Sequence, residues 1–135
     1  MDNQQLADLA VKARESAYAP YSRFKVGAAL LTADGRVYTG VNIENAAYSP
    51  SNCAERTAFF NAVSRGERDF AAIAVAGWND DPGFAYPCGV CRQVMMEFCR
   101  PDSFTVIVTD GQSHKSALLH DLLPCGFGPK NLTKK

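Results

Sequence analysis

Three cysteines and one glutamate have the clearest chemical potential in this 135-residue chain. Cys88 and Cys91 form a Cys-x-x-Cys pair preceded by Pro87, and Cys53 lies two residues before Glu55. Taken alone, the pair is compatible with a redox disulfide, half of a structural zinc site or part of a catalytic one. The third thiol beside an acid favours zinc, because a redox pair is expected in a thioredoxin-like context.

The number of protein ligands distinguishes the two kinds of zinc site. A structural site is closed by four ligands, whereas a catalytic site has three and keeps a position for water. Cys53, Cys88 and Cys91 supply three. Cys99 follows Cys91 on the same predicted helix, about 12 Å along the axis and too far away to share the metal. Other possible fourth ligands are His114, His120 and Cys125. We interpret the histidines as surface residues. We interpret Cys125 as a buried small residue, although its position does not exclude it as a fourth ligand.

Glu55 and Arg56 suit supporting roles beside such a metal. Zinc lowers the pKa of bound water toward about 7, and Glu55 can reach that water without being a ligand, so it can act as a general acid and base. All three cysteines lie at predicted helix starts, where thiolates are favoured. Arg56 can donate hydrogen bonds to the sulfurs and offset their negative charge. Their positions alone are equally compatible with ordinary structural roles. In those roles Glu55 would stabilise the helix dipole from the first turn, and Arg56 would be a solvated helix residue.

Hydrophobic periodicity and turn residues predict the elements that position these side chains. The predicted helices cover 3–18, 52–65 (with Asn52 as N-cap), 88–99 and 116–122, and the predicted strands cover 25–31, 37–41, 70–76 and 104–109. An Asp-Gly turn joins the first two strands. The order αββαβαβ with crossover helices predicts one three-layer α/β/α domain over 1–135 with a mixed sheet.

Composition restricts the class of partner. Apolar residues make up 47% of the chain, charged residues 21%, and the formal net charge is +0. Proteins that bind nucleic acid usually carry a basic excess, so we expect a small uncharged substrate and no nucleic acid. The polar N-terminus lacks a secretory pattern, and no apolar run approaches the roughly 20 residues of a membrane helix. We therefore expect a cytoplasmic protein with no membrane partner.

Five ordered segments of the chain resemble the small homotetrameric zinc-dependent cytidine deaminases. The Cys-x-Glu and Pro-Cys-x-x-Cys patterns at 53–55 and 87–91 match the signature of zinc deaminases in general. The matching segments are 18–29, 40–48, 53–58, 87–94 and 122–129. The resemblance implies a mixed, mostly five-stranded sheet and one zinc per subunit, held by Cys53, Cys88 and Cys91. It also implies that cytidine and 2′-deoxycytidine are deaminated by zinc-hydroxide attack at C4, with Glu55 moving the protons.

The same resemblance implies a set of substrate contacts. Asn42 and Glu44 would hold the ribose 3′-hydroxyl, and residues two apart in an extended segment do point the same way. Phe24 would pack near the nucleoside, and the backbone at Ala54 would contact the ring. Three further residues would reach a neighbouring subunit's site in the tetramer: Ala46, Tyr48 and Phe127. The segment 49–52 departs from the family pattern, which bears on loop geometry rather than on the metal.

Three alternative functions fit the sequence less well. A related deaminase of the same fold acts on nucleoside antibiotics such as blasticidin, but segments 21–24 and 127–129 resemble cytidine deaminase more closely. A polynucleotide-editing deaminase is disfavoured by the zero net charge and the lack of a basic or aromatic extension. A non-enzymatic zinc module leaves Glu55, Asn42 and Glu44 unexplained.

Overall fold

A mixed five-stranded sheet forms the centre of the computed structural model, which describes residues 1–133. The strands are β1 (Lys25–Thr32), β2 (Val37–Val41), β3 (Phe70–Trp78), β4 (Thr105–Thr109) and β5 (His114–Leu118). Their spatial order is β2-β1-β3-β4-β5. β1 runs antiparallel to β2 and β3, β3 runs parallel to β4, and β4 runs antiparallel to β5. The predicted mixed sheet of five strands is confirmed.

Helices cover both faces of this sheet. They are α1 (Asn3–Arg14), α2 (Ala54–Ser64), α3 (Gly89–Phe98) and the short α4 (Leu119–Leu122), followed by a 3₁₀ turn (Pro129–Asn131). α1 packs one face through Leu6 and Ala10, while Phe59 of α2 and Met95 of α3 pack the other. The predicted three-layer arrangement is therefore confirmed. None of the helices within residues 1–133 is long and apolar enough to cross a membrane.

Three predicted boundaries were wrong, and each error has a non-local cause. The first helix ends at Arg14 rather than near 18, because the Tyr18 backbone pairs with Asn42 and Glu44. Asn52 is not the N-cap of α2, since it pairs with Ile43 and leaves Cys53 to cap the helix. Residues 114–118, of which 116–118 were predicted as helix, form β5 because the edge of β4 offers them a hydrogen-bonding partner.

Arg14 holds the end of β3, where the chain leaves the sheet toward Cys88. Its Nε donates to the Lys25 carbonyl oxygen at 2.9 Å, and its Nη2 donates to the Trp78 carbonyl oxygen at 2.6 Å. The guanidinium carbon also lies 4.2 Å from the centroid of the Trp78 ring, within the range of a cation–π contact. One side chain therefore joins the end of α1 to the start of β1 and the end of β3.

Gly40 is the point at which α2 lies directly on the sheet. A Cβ at this position would clash with the Ala58 backbone nitrogen and fall 2.5 Å from the Ala54 carbonyl oxygen. Both atoms belong to the backbone of α2, the helix that carries Glu55, so an added methyl group must push the helix away. We expect Gly40→Ala to lower the free energy of unfolding by about 2 kcal/mol or more, measured by urea denaturation.

Gly83→Ala is the matched control, because nothing lies within 4 Å of a Cβ built there. Its free energy of unfolding should change by less than about 0.5 kcal/mol. Equal losses in the two variants would show that the close contact between β2 and α2 is not responsible.

Candidate active site

The starts of α2 and α3 converge and bring three thiols together. Cys53 and Cys88 are the N-cap residues of the two helices, and Cys91 lies in the first turn of α3. The three sulfurs all lie within 4.8 Å of one another. The backbone N–H of Cys91 points at the Cys88 sulfur, with the two atoms 3.5 Å apart. The cluster combines the Cys-x-x-Cys pair with the distant Cys53.

The donor set and its spacing fit zinc. A tetrahedral ion with metal–sulfur bonds of about 2.3 Å separates its sulfurs by about 3.8 Å, and the sulfurs of Cys53 and Cys88 are 3.8 Å apart. Thiolates are ligands that zinc accepts readily. Among residues 1–133 the cluster contains no fourth His, Cys, Asp or Glu ligand. The three thiols therefore leave a coordination position open, as in catalytic zinc sites.

The other candidate ligands lie away from this cluster. Cys99 borders a groove at the end of α3. His120 and Cys125 line a separate cleft that they share with Lys130. His114 lies in β5, paired with Thr109 of β4. Cys125 is exposed, so the prediction that it is a buried small residue was wrong: it lies in the turn that follows α4, where its backbone is left-handed (φ 56°).

Arg56 contacts the thiols directly. Its Nη2 donates to the Cys53 sulfur at 3.3 Å. The pKa of Cys53 is lowered to about 5, first by its hydrogen bond with Cys91 and further by Arg56. The shared hydrogen bond and burial raise the pKa of Cys91. Burial would lower the pKa of Arg56, but its bonds to both sulfurs outweigh that and raise it. The guanidinium therefore offsets the negative charge of the cluster.

Removal of this guanidinium should weaken the metal site. We expect Arg56→Ala to bind zinc about 10- to 100-fold more weakly, the usual cost of losing a group that supports a ligand. Competition with a chromophoric chelator would measure the affinity. Arg65→Ala is the control, because Arg65 ends the same helix and its Nε bonds Asn61 rather than a cysteine. Unchanged zinc affinity in Arg56→Ala would contradict a role for the contact with Cys53.

Glu55 lies in the first turn of α2 and is buried, with 5% of its surface exposed. Burial raises the pKa of Glu55 to about 7, and the charge of Cys53 adds to the effect. A carboxyl group with a pKa near neutrality can both accept and donate a proton. Glu55 is outside the cluster of ligand sulfurs but lines the same cleft as Cys53 and Cys88.

That cleft has a volume of about 400 Å³, in the range of small-molecule sites. Eight of the predicted site residues line it: Phe24, Asn42, Glu44, Cys53, Ala54, Glu55, Arg56 and Cys88. Cys91 lies behind them, with 1% of its surface exposed. The arrangement places Cys53, Cys88 and Glu55 in one cavity with the Asn42 and Glu44 side chains.

Asn42 is held firmly at the edge of the sheet. Its Oδ1 accepts the Val26 N–H at 2.9 Å, and its Nδ2 donates to the Phe24 carbonyl oxygen at 2.7 Å. A carboxamide has two donor hydrogens and two acceptor lone pairs, so one of each is left for a ligand. The side chain can therefore bind in the cleft without giving up its bonds to residues 24–26.

Glu44 is held by the turn that precedes β1. Its Oε1 accepts the backbone N–H groups of Tyr21 and Ser22 at 3.0 and 3.1 Å. Its Oε2 accepts a hydrogen bond from the Ser22 hydroxyl. The Ser22 hydroxyl is the largest of the influences that lower the pKa of Glu44. The cleft thus presents an ionised acceptor on the side of Asn42.

Besides Cys91, three predicted site residues do not line the cleft. Ala46, Tyr48 and Phe127 are exposed, with 71% of Tyr48 and 56% of Phe127 accessible. Tyr48 borders an adjoining cleft of about 390 Å³ that shares Ser22, Glu44 and Ser51 with the first. The Phe127 carbonyl oxygen accepts from Gln93 Nε2 of α3 at 2.8 Å. Their contacts with a neighbouring subunit stay predictions.

Several cleft residues were missed by sequence reasoning. They are Ser22, Val26, Ser51, Asn52, Val75, Ala85 and Tyr86. Most are small or apolar side chains whose type carries no chemical signal. Ser22 and Val26 lie within a segment that carries the family resemblance, and Tyr86 directly precedes Pro87, so their positions near the site were the available signal.

An α/β fold that holds three thiols, an open coordination position and a buried glutamate defines a zinc-dependent deaminase. A family profile described as the cytidine and deoxycytidylate deaminase zinc-binding region matches residues 1–108. The chain belongs to this family.

Individual relatives align over almost the whole chain. A cytidine deaminase of Sporosarcina psychrophila is 51% identical over 134 residues, covering 98% of this chain and 96% of that protein. A cytidine deaminase of Halalkalibacterium halodurans is 48% identical over 132 residues, covering 98% of both. The crystal structure of cytidine deaminase from Burkholderia pseudomallei superposes with a TM-score of 0.86 at 50% identity, covering 94% of this chain and 100% of that one. That from Mycobacterium tuberculosis gives 0.82 at 37% identity, covering 96% and 99%.

Proposed function

We propose that this protein hydrolyses cytidine and 2′-deoxycytidine to uridine and 2′-deoxyuridine, with release of ammonia, as a step of pyrimidine salvage. The observation that carries the proposal is the shared cleft, in which Cys53, Cys88 and Glu55 face the same cavity as Asn42 and Glu44. One side of the cavity suits chemistry at an amino-substituted ring and the other suits recognition of a sugar. The alignment with cytidine deaminases at 48% and 51% identity supports the same substrate.

The proposed chemistry assigns a task to each group. Cys53, Cys88 and Cys91 would hold the zinc, and when bound it would lower the pKa of a water molecule and so supply a nucleophile near neutral pH. Glu55 accepts one proton of the attacking water and donates it to N3 as the oxygen bonds to C4. Glu55 then carries the second proton to the exocyclic nitrogen. The C4–N bond breaks and ammonia leaves, so water is consumed and no other reactant is needed.

The remaining residues orient the substrate in this proposal. Asn42 and Glu44 bind the ribose 3′-hydroxyl, since both carry hydrogen-bonding capacity toward the cleft. Phe24 packs against the nucleoside through an aromatic face, and the backbone at Ala54, in the first turn of α2, contacts the ring. Arg56 maintains the charge balance of the thiols.

Charge in the cleft favours a nucleoside over a nucleotide. The charged side chains that line it and the adjoining cleft are Glu44, Glu55 and Arg56. Arg56 is bonded to Cys53, so among residues 1–133 the sugar side presents the Glu44 carboxylate and no free cation. A 5′-phosphate would add negative charge to a sugar site that already holds the Glu44 carboxylate, which costs binding energy. The proposal is therefore a nucleoside deaminase within a family that also includes deoxycytidylate deaminases.

We also propose a homotetramer in which Ala46, Tyr48 and Phe127 contribute to a neighbouring subunit's site. The exposure of two large aromatic side chains, Tyr48 and Phe127, supports this proposal. A cytoplasmic location and a single functional domain over residues 1–135 belong to the same proposal. Five free cysteines among the described residues fit a reducing compartment.

A substrate panel tests the function. Purified protein is assayed for ammonia release and the change in ultraviolet absorbance with cytidine, 2′-deoxycytidine, their 5′-monophosphates, blasticidin S and a cytosine-containing oligonucleotide. We expect turnover of both nucleosides, and kcat/KM lower by about 100-fold or more for the monophosphates, as unfavourable charge contacts cost several kcal/mol. Turnover of blasticidin S, a monophosphate or the oligonucleotide without turnover of cytidine would contradict the proposal.

A further inference from the structure

One hydroxyl group on the wall of the cleft connects two proposed substrate contacts. The Ser22 Oγ donates to Glu44 Oε2 and also accepts the Phe24 N–H, at a nitrogen–oxygen distance of 3.0 Å. Ser22, Glu44 and Phe24 all line the cleft. The hydroxyl therefore links a carboxylate that follows β2 with the backbone of an aromatic residue that precedes β1.

The backbone around Ser22 depends on this hydroxyl. Arg23 adopts a left-handed conformation, with φ at 59°, which residues other than glycine rarely do. The Arg23 N–H bonds the Ala19 carbonyl oxygen at 3.0 Å, and the bond from Phe24 N–H to Ser22 Oγ closes the turn from the other side. Without the hydroxyl, the Phe24 N–H loses its acceptor and the turn that directs the Phe24 ring is weakened.

The carboxylate of Glu44 depends on the hydroxyl in a different way. Its Oε1 takes two backbone N–H groups, whereas Ser22 Oγ contacts Oε2. Removal of the hydroxyl leaves the bonds at Oε1 in place but frees Oε2 to move. The Oε2 position is then no longer defined for an incoming hydroxyl donor, even though the carboxylate stays attached to the turn.

We infer that Ser22 is a positioning residue that sets the Glu44 carboxylate for the sugar hydroxyl and the Phe24 ring for the nucleoside. The inference rests on the proposed function, since it takes Glu44 as the acceptor for the 3′-hydroxyl. Ser22 has no hydrogen bond to the thiols or to Glu55 among the described residues, so its effect falls on substrate binding rather than on proton transfer.

Cytidine and 3′-deoxycytidine together distinguish positioning from simple stabilisation. We expect Ser22→Ala to lower kcat/KM for cytidine by about tenfold, mainly through KM, because part of a hydrogen bond to a charged group is lost. With 3′-deoxycytidine, which offers Glu44 no hydroxyl, the loss should be below about threefold, reflecting Phe24 alone. Ser22→Thr keeps the hydroxyl and should restore the preference for the 3′-hydroxyl. Ser49→Ala, an exposed serine outside both clefts, should behave as wild type.

Each outcome identifies which statement fails. A wild-type protein that turns over both substrates equally well would refute the role of Glu44 and this inference with it. If wild type prefers cytidine and Ser22→Ala keeps the full preference, the inference alone is overturned. Equal losses for both substrates would mean that the hydroxyl only stabilises the turn, which also overturns it. Ser22→Cys, with a similar shape and a weak donor, should show an intermediate preference and replaces the alanine variant if that does not fold.

Discussion

Glu55→Gln is expected to lose almost all turnover of cytidine while retaining its zinc. The amide has nearly the shape of the carboxyl group but neither accepts nor donates the protons that the reaction moves, so kcat should fall by about 10³- to 10⁴-fold. Glu55 is not among the three clustered sulfur ligands, and its substitution leaves Cys53, Cys88 and Cys91 in place. Loss of turnover without loss of metal is the combination specific to a proton carrier.

Two measurements made on the same sample check this result. Conversion of cytidine is followed by ultraviolet absorbance, and zinc per protomer is determined by atomic absorption. Glu97→Gln is the matched control, because Glu97 is an exposed acid on α3 that does not line the cleft, and its activity should equal that of wild type. Turnover in Glu55→Gln within tenfold of wild type would mean that another group moves the protons.

The zinc ligands were predictable to different degrees. Cys88 and Cys91 are close for a local reason, because residues three apart lie on the same side of a helix. Cys53 joins them only because the starts of α2 and α3, which pack on one face of the sheet, converge, and no local pattern encodes that convergence. The sequence also could not decide whether a fourth residue binds the metal. The structure places no fourth ligand in the cluster within residues 1–133.

The substrate side of the cleft was less accessible to local reasoning. Nothing in the residue type of Arg23 predicts its left-handed backbone, which is adopted because Ala19, Ser22 and Glu44 bond the surrounding turn. β5 has the same kind of origin, since a short segment with little alternation becomes a strand only beside β4. Features that depend on a partner distant in the chain are decided by the tertiary fold.

Cys91→Ala should lose both zinc and activity, whereas Cys99→Ala should lose neither. Both cysteines are buried on or at the end of α3, so each substitution removes a similar volume from the interior and costs some stability. Only Cys91 belongs to the thiol cluster. With two ligands left, we expect less than about 0.1 zinc per protomer after dialysis against a mild chelator, and kcat reduced by at least about 10³-fold because the nucleophile depends on the metal.

The control, Cys99→Ala, is expected to retain one zinc per protomer and full activity, and to differ from wild type only in a lower melting temperature. Stoichiometric zinc in Cys91→Ala would exclude its sulfur from the ligand set, and loss of zinc in Cys99→Ala would show that disruption of α3, rather than loss of a ligand, releases the metal.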